Sequence, residues 1–208
     1  MEFSSLSLRL ASALAVAVLA CQAGAADNTV SHQKITLDAA SSEVDYKKHT
    51  VEFKDIVISQ GDIKVEANHA EAAASGLNFK TGVWIFSGDV RIHVEKRGNL
   101  RSDQAVLDFK DSAIVKATIT GKPAQFEQQR TGSDEMARGH AGQIVYEPAD
   151  GVVRLSNDAW ISDGHNEIRG PLLVYNIRLQ HVEAETQPGN QDRVHITIVP
   201  GQDERKPK

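Results

Sequence analysis

Between residues 83 and 94 the chain reads VWIFSGDVRIHV, with Trp84, Phe86, Val90, Ile92 and Val94 at two-residue spacing. Ser87, Asp89, Arg91 and His93 lie between them, and Ile85 is the one apolar residue out of step. A period of two belongs to a β-strand with one dry face and one wet face. The pattern recurs. VEFKDIVIS from Val51, ATITGKPAQF from Ala117 and VRLSNDAWI from Val153 each open on a short extended run, pass a punctuating residue and continue as a second run. Phe53, Phe86, Ile119 and Leu155 hold equivalent places, 33, 33 and 36 residues apart. Asp55, Gly88, Gly121 and Asn157 are the punctuation, types suited to a bend, a bulge or a left-handed backbone.

The intervening segments correspond as well. DIKVEANHAEA (62–72), NLRSDQAVLDF (99–109), ARGHAGQIVYE (137–147) and NEIRGPLLVYN (166–176) form a second set of extended arms, and residues 34–49 supply an opening half-unit. Turns fall at Gly76, Thr81-Gly82, Lys110-Asp111 and residues 148–151. Only EANHAEAAASG (66–76) has helical composition, and its neighbours alternate, so it is expected to be strand with a turn at Gly76. A repeat of this length predicts an all-β fold of long antiparallel hairpin units laid one after another.

The alternation nominates an inward set. Its first half holds Phe53, Val57, Ile63, Val65, Trp84, Phe86, Val90, Ile92 and Val94. Its second half holds Leu107, Phe109, Ile119, Phe126, Ile144, Tyr146, Leu155, Ile168, Leu172 and Val174. Stacked units would align these side chains in one stripe along the long axis. Two facing layers would bury it as a core, whereas layers splayed at one side would leave an apolar trough. Trp84 is expected inside and Trp160 at a rim or edge, because they stand in opposite phase to their punctuating residues.

The 208 residues suffice for one domain with a sizeable core. Residues 1–25 stand apart: Arg9, the apolar run Leu10–Ala20 and then Ala23-Gly24-Ala25 have the layout of a cleaved secretory signal peptide. The only cysteine, Cys21, lies in this leader. VLAC (18–21) loosely matches a lipoprotein box, so Cys21 is either lipidated or removed. With the ordinary cut the mature chain carries no cysteine and draws its stability from core and sheet hydrogen bonds. Net charge is −5 with or without the leader, and a mildly acidic chain with 5% aromatics is a poor nucleic-acid binder. The expected organisation is leader 1–25, one β domain over 26–200 and a disordered tail over 201–208.

TGKPAQFEQ (120–128), GHAGQIVYE (139–147), VVRLSNDAWI, EIRGPLLVYN and RVHITIVPG (193–201) together resemble the OstA-like family of periplasmic lipopolysaccharide transport proteins. The resemblance runs from about Val30 to about Pro200 and departs from the family around Arg130–Glu135. It implies a β-jellyroll of stacked V-shaped antiparallel layers, with the inward set as lipid-binding interior for lipopolysaccharide acyl chains. It also implies end-to-end self-association through free edge strands, with an inner-membrane-anchored relative and an outer-membrane translocon as further partners. No cofactor and no enzymatic activity are expected. The competing readings are a structural β-repeat whose interior is only a core, and the inner-membrane-tethered relative.

Other chemistry is sparse. The histidines at 32, 49, 69, 93, 140, 165, 181 and 195 show no ligand-like pairing. Hydrolase, metalloprotease and phosphate-loop motifs are absent. Asp158, Asp163 and Glu167 beside Arg169 could mimic a polysaccharide-cleaving groove, but fit better as the wet face of a strand. Arg91, Lys96, Arg97 and Arg101 make one hairpin basic, either as a rim for phosphorylated sugar or as a solvated edge.

Overall fold

Each alternating segment forms a strand. The computed structural model describes residues 34–73, 80–95, 98–111, 113–129, 136–176, 179, 181–186 and 193–199. The leader, Gly76, Lys96, Arg97, residues 130–135 and the tail expected over 201–208 lie outside them. The strands are β1 (Ile35–Asp38), β2 (Ser41–Asp45), β3 (Thr50–Gln60), β4 (Ile63–Ala73), β5 (Gly82–Val94) and β6 (Gly98–Lys110). They continue as β7 (Ala113–Gln129), β8 (Met136–Glu147), β9 (Val152–Ser162), β10 (Glu167–Asn176), β11 (His181–Glu185) and β12 (His195–Thr197). From β3 to β10 each strand pairs antiparallel with its sequence neighbours, giving one long meander. The Ala-rich segment is strand through Ala73, and the opening half-unit is two short strands rather than one arm.

A line of irregularities crosses this sheet. Register shifts fall between Glu66 and His69, Ser87 and Val90, Arg101 and Gln104, Thr120 and Ala124, His140 and Gln143, and Gly170 and Leu172. Left-handed backbone marks the same line at Asp55 (φ 50°), Gly88 (75°), Asp89 (48°), Asn157 (65°) and Asp158 (59°). Three of the four punctuating residues therefore adopt it. The fourth, Gly121, sits within the bulge that holds the cis Lys122–Pro123 peptide. Bulges bend a strand and raise its twist, so aligned bulges fold the whole sheet along one seam. The halves on either side contribute to a single buried cluster, layer one from Val51, Phe53, Trp84 and Phe86 and layer two from Ile56, Ile58, Val90 and Ile92.

The bulges also reset which face a side chain takes, since an insertion of one residue inverts the alternation beyond it. In β3 the buried residues are Val51 and Phe53 before Asp55 but Ile56 and Ile58 after it. Val57, expected inside, therefore faces outward, paired with Asp38 and Glu66. The shift in β10 acts likewise: Leu173 and Tyr175 are buried, whereas Leu172 and Val174 point outward beside Glu185 and Glu183. In β5 the Gly88-Asp89 pair inserts two residues and parity survives, so Val90, Ile92 and Val94 are inside as expected.

Small residues set the spacing of large ones. Phe53 pairs with Ala70, which pairs with Phe86, and Ala72 pairs with Trp84. Across these alanines Phe53 and Trp84 stack at 5.9 Å, and Trp84 stacks on Phe86 of its own strand at 5.8 Å. The helix-like alanines are thus spacers that admit aromatic rings from both neighbouring strands. Gly139 serves Phe126 in the same way, since a Cβ there would lie 2.3 Å from the ring.

Ala70→Leu should overpack the aromatic stack and lower stability by about 1–3 kcal/mol, read from urea unfolding. Gly88→Val should cost about 1–3 kcal/mol by the same measurement. Its backbone is left-handed, and a Cβ there would lie 3.0 Å from the Asn68 side chain.

Candidate functional site: a continuous apolar inner face

Register converts the buried residues into rows that cross the sheet. In layer two Leu37, Ile58, Val65, Ile92, Leu100, Phe126, Gly139, Ile161, Ile168 and Ile196 are successive partners from β1 to β12. In layer one Phe53, Ala70, Phe86, Ala105, Ile119, Ile144, Leu155 and Leu173 form a second such row. Beside it run Val51, Ala72, Trp84, Leu107, Ala117, Tyr146, Val153 and Tyr175. The rows face each other across the fold. Because strand follows strand about 4.8 Å apart, an apolar strip extends unbroken along the sheet rather than collecting in one spot.

Of the residues nominated from sequence, the structure brings Phe53, Val65, Trp84, Phe86, Val90, Ile92, Val94, Leu107, Ile119, Phe126, Ile144, Tyr146, Leu155 and Ile168 to this inner face. Ile63 and Phe109 are half-buried and pack against it. Val57, Leu172 and Val174 do not belong to it. Sequence reasoning missed Ile56, Ile58, Leu100, Ile161, Leu173 and Tyr175 and the spacer alanines, all placed by bulge parity and register. Burial raises the pKa of the Tyr175 hydroxyl.

Exposure changes along the strip. Trp84, Ile119, Ile144 and Leu155 in its middle have no accessible surface. At the two ends Val44 keeps 43% and Ile196 53% of theirs, although Val44 pairs with buried Val51 and Ile196 with buried Ile168. Both ends also carry split edges. β1 and β2 cover the two halves of β3, and β12 and β11 cover the two halves of β10. The outer sides of these four short strands have no strand partner among the described residues.

The polar candidates stay off the apolar rows, Asp163 as a buried turn residue and Asp158 and Glu167 exposed. Asp163 closes a tight turn, accepting from the Asn166 amide at 2.7 Å and the His165 amide at 2.9 Å. Glu167 accepts from Trp160 Nε1 at 3.4 Å, and Asp158 lies on the bulge line. Asp163 thus holds its own turn and Glu167 the Trp160 indole. Arg91 is paired with Asp89, whose hydrogen bond and charge raise the guanidinium pKa further. Among the described residues no group of three or more His, Cys, Asp or Glu side chains is placed to hold a metal.

Comparison with known proteins agrees with this architecture. The family model described as "LptA/(LptD N-terminal domain) LPS transport protein" matches residues 69–181. Lipopolysaccharide export system protein LptA of Escherichia coli K12 is 29% identical over 136 residues, which is 64% of this chain and 71% of that protein. LptH of Pseudomonas aeruginosa, also a lipopolysaccharide export system protein, is 27% identical over 143 residues, 66% and 79% of the two chains. The crystal structure of LptH, described as the LptA-homologous periplasmic component of a lipopolysaccharide transport device, superposes with a TM-score of 0.52. That match has 22% identity and covers 82% of this chain and 99% of LptH, so the fold is shared. With the family model spanning more than half of its length, the chain belongs to the LptA and LptD N-terminal domain family of lipopolysaccharide transport proteins.

Proposed function

We propose that this chain is a periplasmic, non-enzymatic carrier that holds lipopolysaccharide acyl chains between its two layers and passes them along a bridge of end-to-end subunits. The observation that carries this reading is the set of apolar rows that cross the sheet between its split edges. The row through Val51 and Trp84 opens at exposed Val44, and the row through Ile92 and Phe126 ends at exposed Ile196. A closed globular core would taper to polar residues at its ends. A conduit continued by a neighbour leaves them apolar.

The physical need is plain. Each acyl methylene in water costs about 0.8 kcal/mol, so a multi-chain lipid crosses an aqueous compartment only along an unbroken apolar lining. The lining comprises the inward residues, among them Phe53, Val65, Trp84, Phe86, Val90, Ile92, Leu107, Ile119, Phe126, Ile144, Tyr146, Leu155 and Ile168. Its middle is sealed in the closed fold, so cargo enters as the layers part about the bulge line. Free N–H and C=O groups at the split edges suit β-augmentation by a second copy, by an inner-membrane-anchored relative or by an outer-membrane translocon. Head-to-tail pairing of this kind extends as an open filament. Removal of residues 1–25 on secretion delivers the chain to the periplasm.

Photocrosslinking amino acids at Phe86, Val90 and Ile58 should capture lipopolysaccharide, while those at Arg91 and Val57 should not. Equal labelling at all five sites, or none, would remove the lining from the account. Light scattering should show mass rising with protein concentration. Ile198→Pro, beyond the stretch of β12 that pairs with β10, should reduce that growth while leaving the thermal midpoint unchanged.

A further inference from the structure

The outward face of layer two carries a feature that neither the lining nor the edges use. Arg101, Gln125, His140, Trp160 and Arg169 are successive cross-strand partners on β6 to β10. All are outward of the row through Leu100, Phe126, Gly139 and Ile161. The His140 and Trp160 rings stack, with centroids 5.2 Å apart and planes 25° from parallel. Asn99, Glu127 and Arg138 on the next row complete a groove of about 370 Å³ that includes Arg101, Gln125, His140 and Trp160 in its lining.

The charges in this groove are unevenly matched. Glu127 accepts from Asn99 Nδ2 at 2.9 Å and lies 4.0 Å from Arg138 Nε. Glu167 accepts from the Trp160 indole. Arg101 lines the groove and Arg169 lies just beyond it, on the strand next to Trp160. Neither has an ion-pair partner among the described residues, and the two arginines stand on either side of the half-buried His140 and Trp160. Their Cα atoms are four strands apart, on the order of 19 Å at the usual strand spacing. On a chain of net charge −5 this is a locally cationic patch, which suits an anionic ligand.

Each part selects the same chemistry. Arginine forks bind phosphate bidentately. A flat indole and imidazole pair offers an amphipathic surface for the C–H face of a sugar ring. The Gln125 and Asn99 amides supply donors and acceptors for hydroxyl groups. We infer that this groove binds a phosphorylated oligosaccharide, the saccharide portion of lipopolysaccharide, on the outside of the layer whose inside takes the acyl chains. The assignment rests on lipopolysaccharide being the cargo, but it does not require the interior to be the acyl site.

The test uses the full mature protein and a deacylated, phosphorylated lipopolysaccharide oligosaccharide, which has no chain to place in the interior. The chain contains only two tryptophans, Trp84 and Trp160, so two indole ¹H–¹⁵N signals report on inside and outside separately. Titration should shift the Trp160 signal saturably and leave Trp84 unmoved. Arg101→Gln and Arg169→Gln should each weaken binding about tenfold, and enzymatic dephosphorylation of the probe should do the same. An unmoved Trp160 signal overturns the proposal, as does binding indifferent to phosphate and to both substitutions. Crosslinking at Phe86 and Val90 reads the interior independently, so loss of either result leaves the other standing.

Discussion

An antiparallel sheet that folds back on itself must present its apolar side chains to the inside on both halves of every strand. Strict alternation cannot by itself make the bend, because a straight pleated strand has nowhere to turn. Here the turn is made along one line of irregularities, where the step between inward residues lengthens by one residue at Asp55, by two at Gly88-Asp89 and by three at residues 121–123. The rest of the molecule depends on that seam. Asp55, Gly88-Asp89 and Asn157-Asp158 supply left-handed backbone where the chain turns. The residues on either side are chosen so that the count after each bulge again points apolar groups inward. One misplaced insertion would put Ile56 and Ile58, or Leu173 and Tyr175, in water.

Folding along a seam yields an interior with unusual continuity. A sandwich made of two separate sheets closes its core at every edge, whereas a meander of repeats extends its inner rows for as many strands as it has. The alanines and Gly139 keep these rows level, admitting Phe53, Trp84, Phe86 and Phe126 without forcing the layers apart. In the proposed carrier, stability and transport would draw on the same side chains. Those in the middle seal against each other, and those at the split edges stay exposed. The outer surface is free to take other roles, and the Arg101 to Arg169 row is where its chemistry is most concentrated.

Much of this was legible in the sequence, for a definite reason. Trp84, Phe86, Ile119 and Leu155 sit in clean alternations that begin at a strand start, so their face follows from counting. The punctuating residues were legible because left-handed backbone favours Gly, Asn and Asp. Val57, Leu172 and Val174 went astray because the count was carried through a bulge. VEFKDIVIS does not reveal that Asp55 inserts one residue, where Gly88-Asp89 inserts two. The alanines of β4 have helical composition, yet the alternation around them already marked the segment as strand; what only register shows is that they are spacers between the aromatic rings of β3 and β5. The outer groove was less legible still, since His140 and Trp160 are twenty residues apart and only register makes them stack.

The central claim is that the inner rows, and not merely a core, receive acyl chains. Paramagnetic broadening of methyl signals tests it directly, using lipopolysaccharide that carries a nitroxide at an acyl terminus. The account predicts strong broadening at Ile92, Ile119, Ile144 and Leu155, with Val83, Val106 and Val145 on the outer face little affected. Uniform broadening of both sets, or an inner set left sharp by bound lipid, would contradict it.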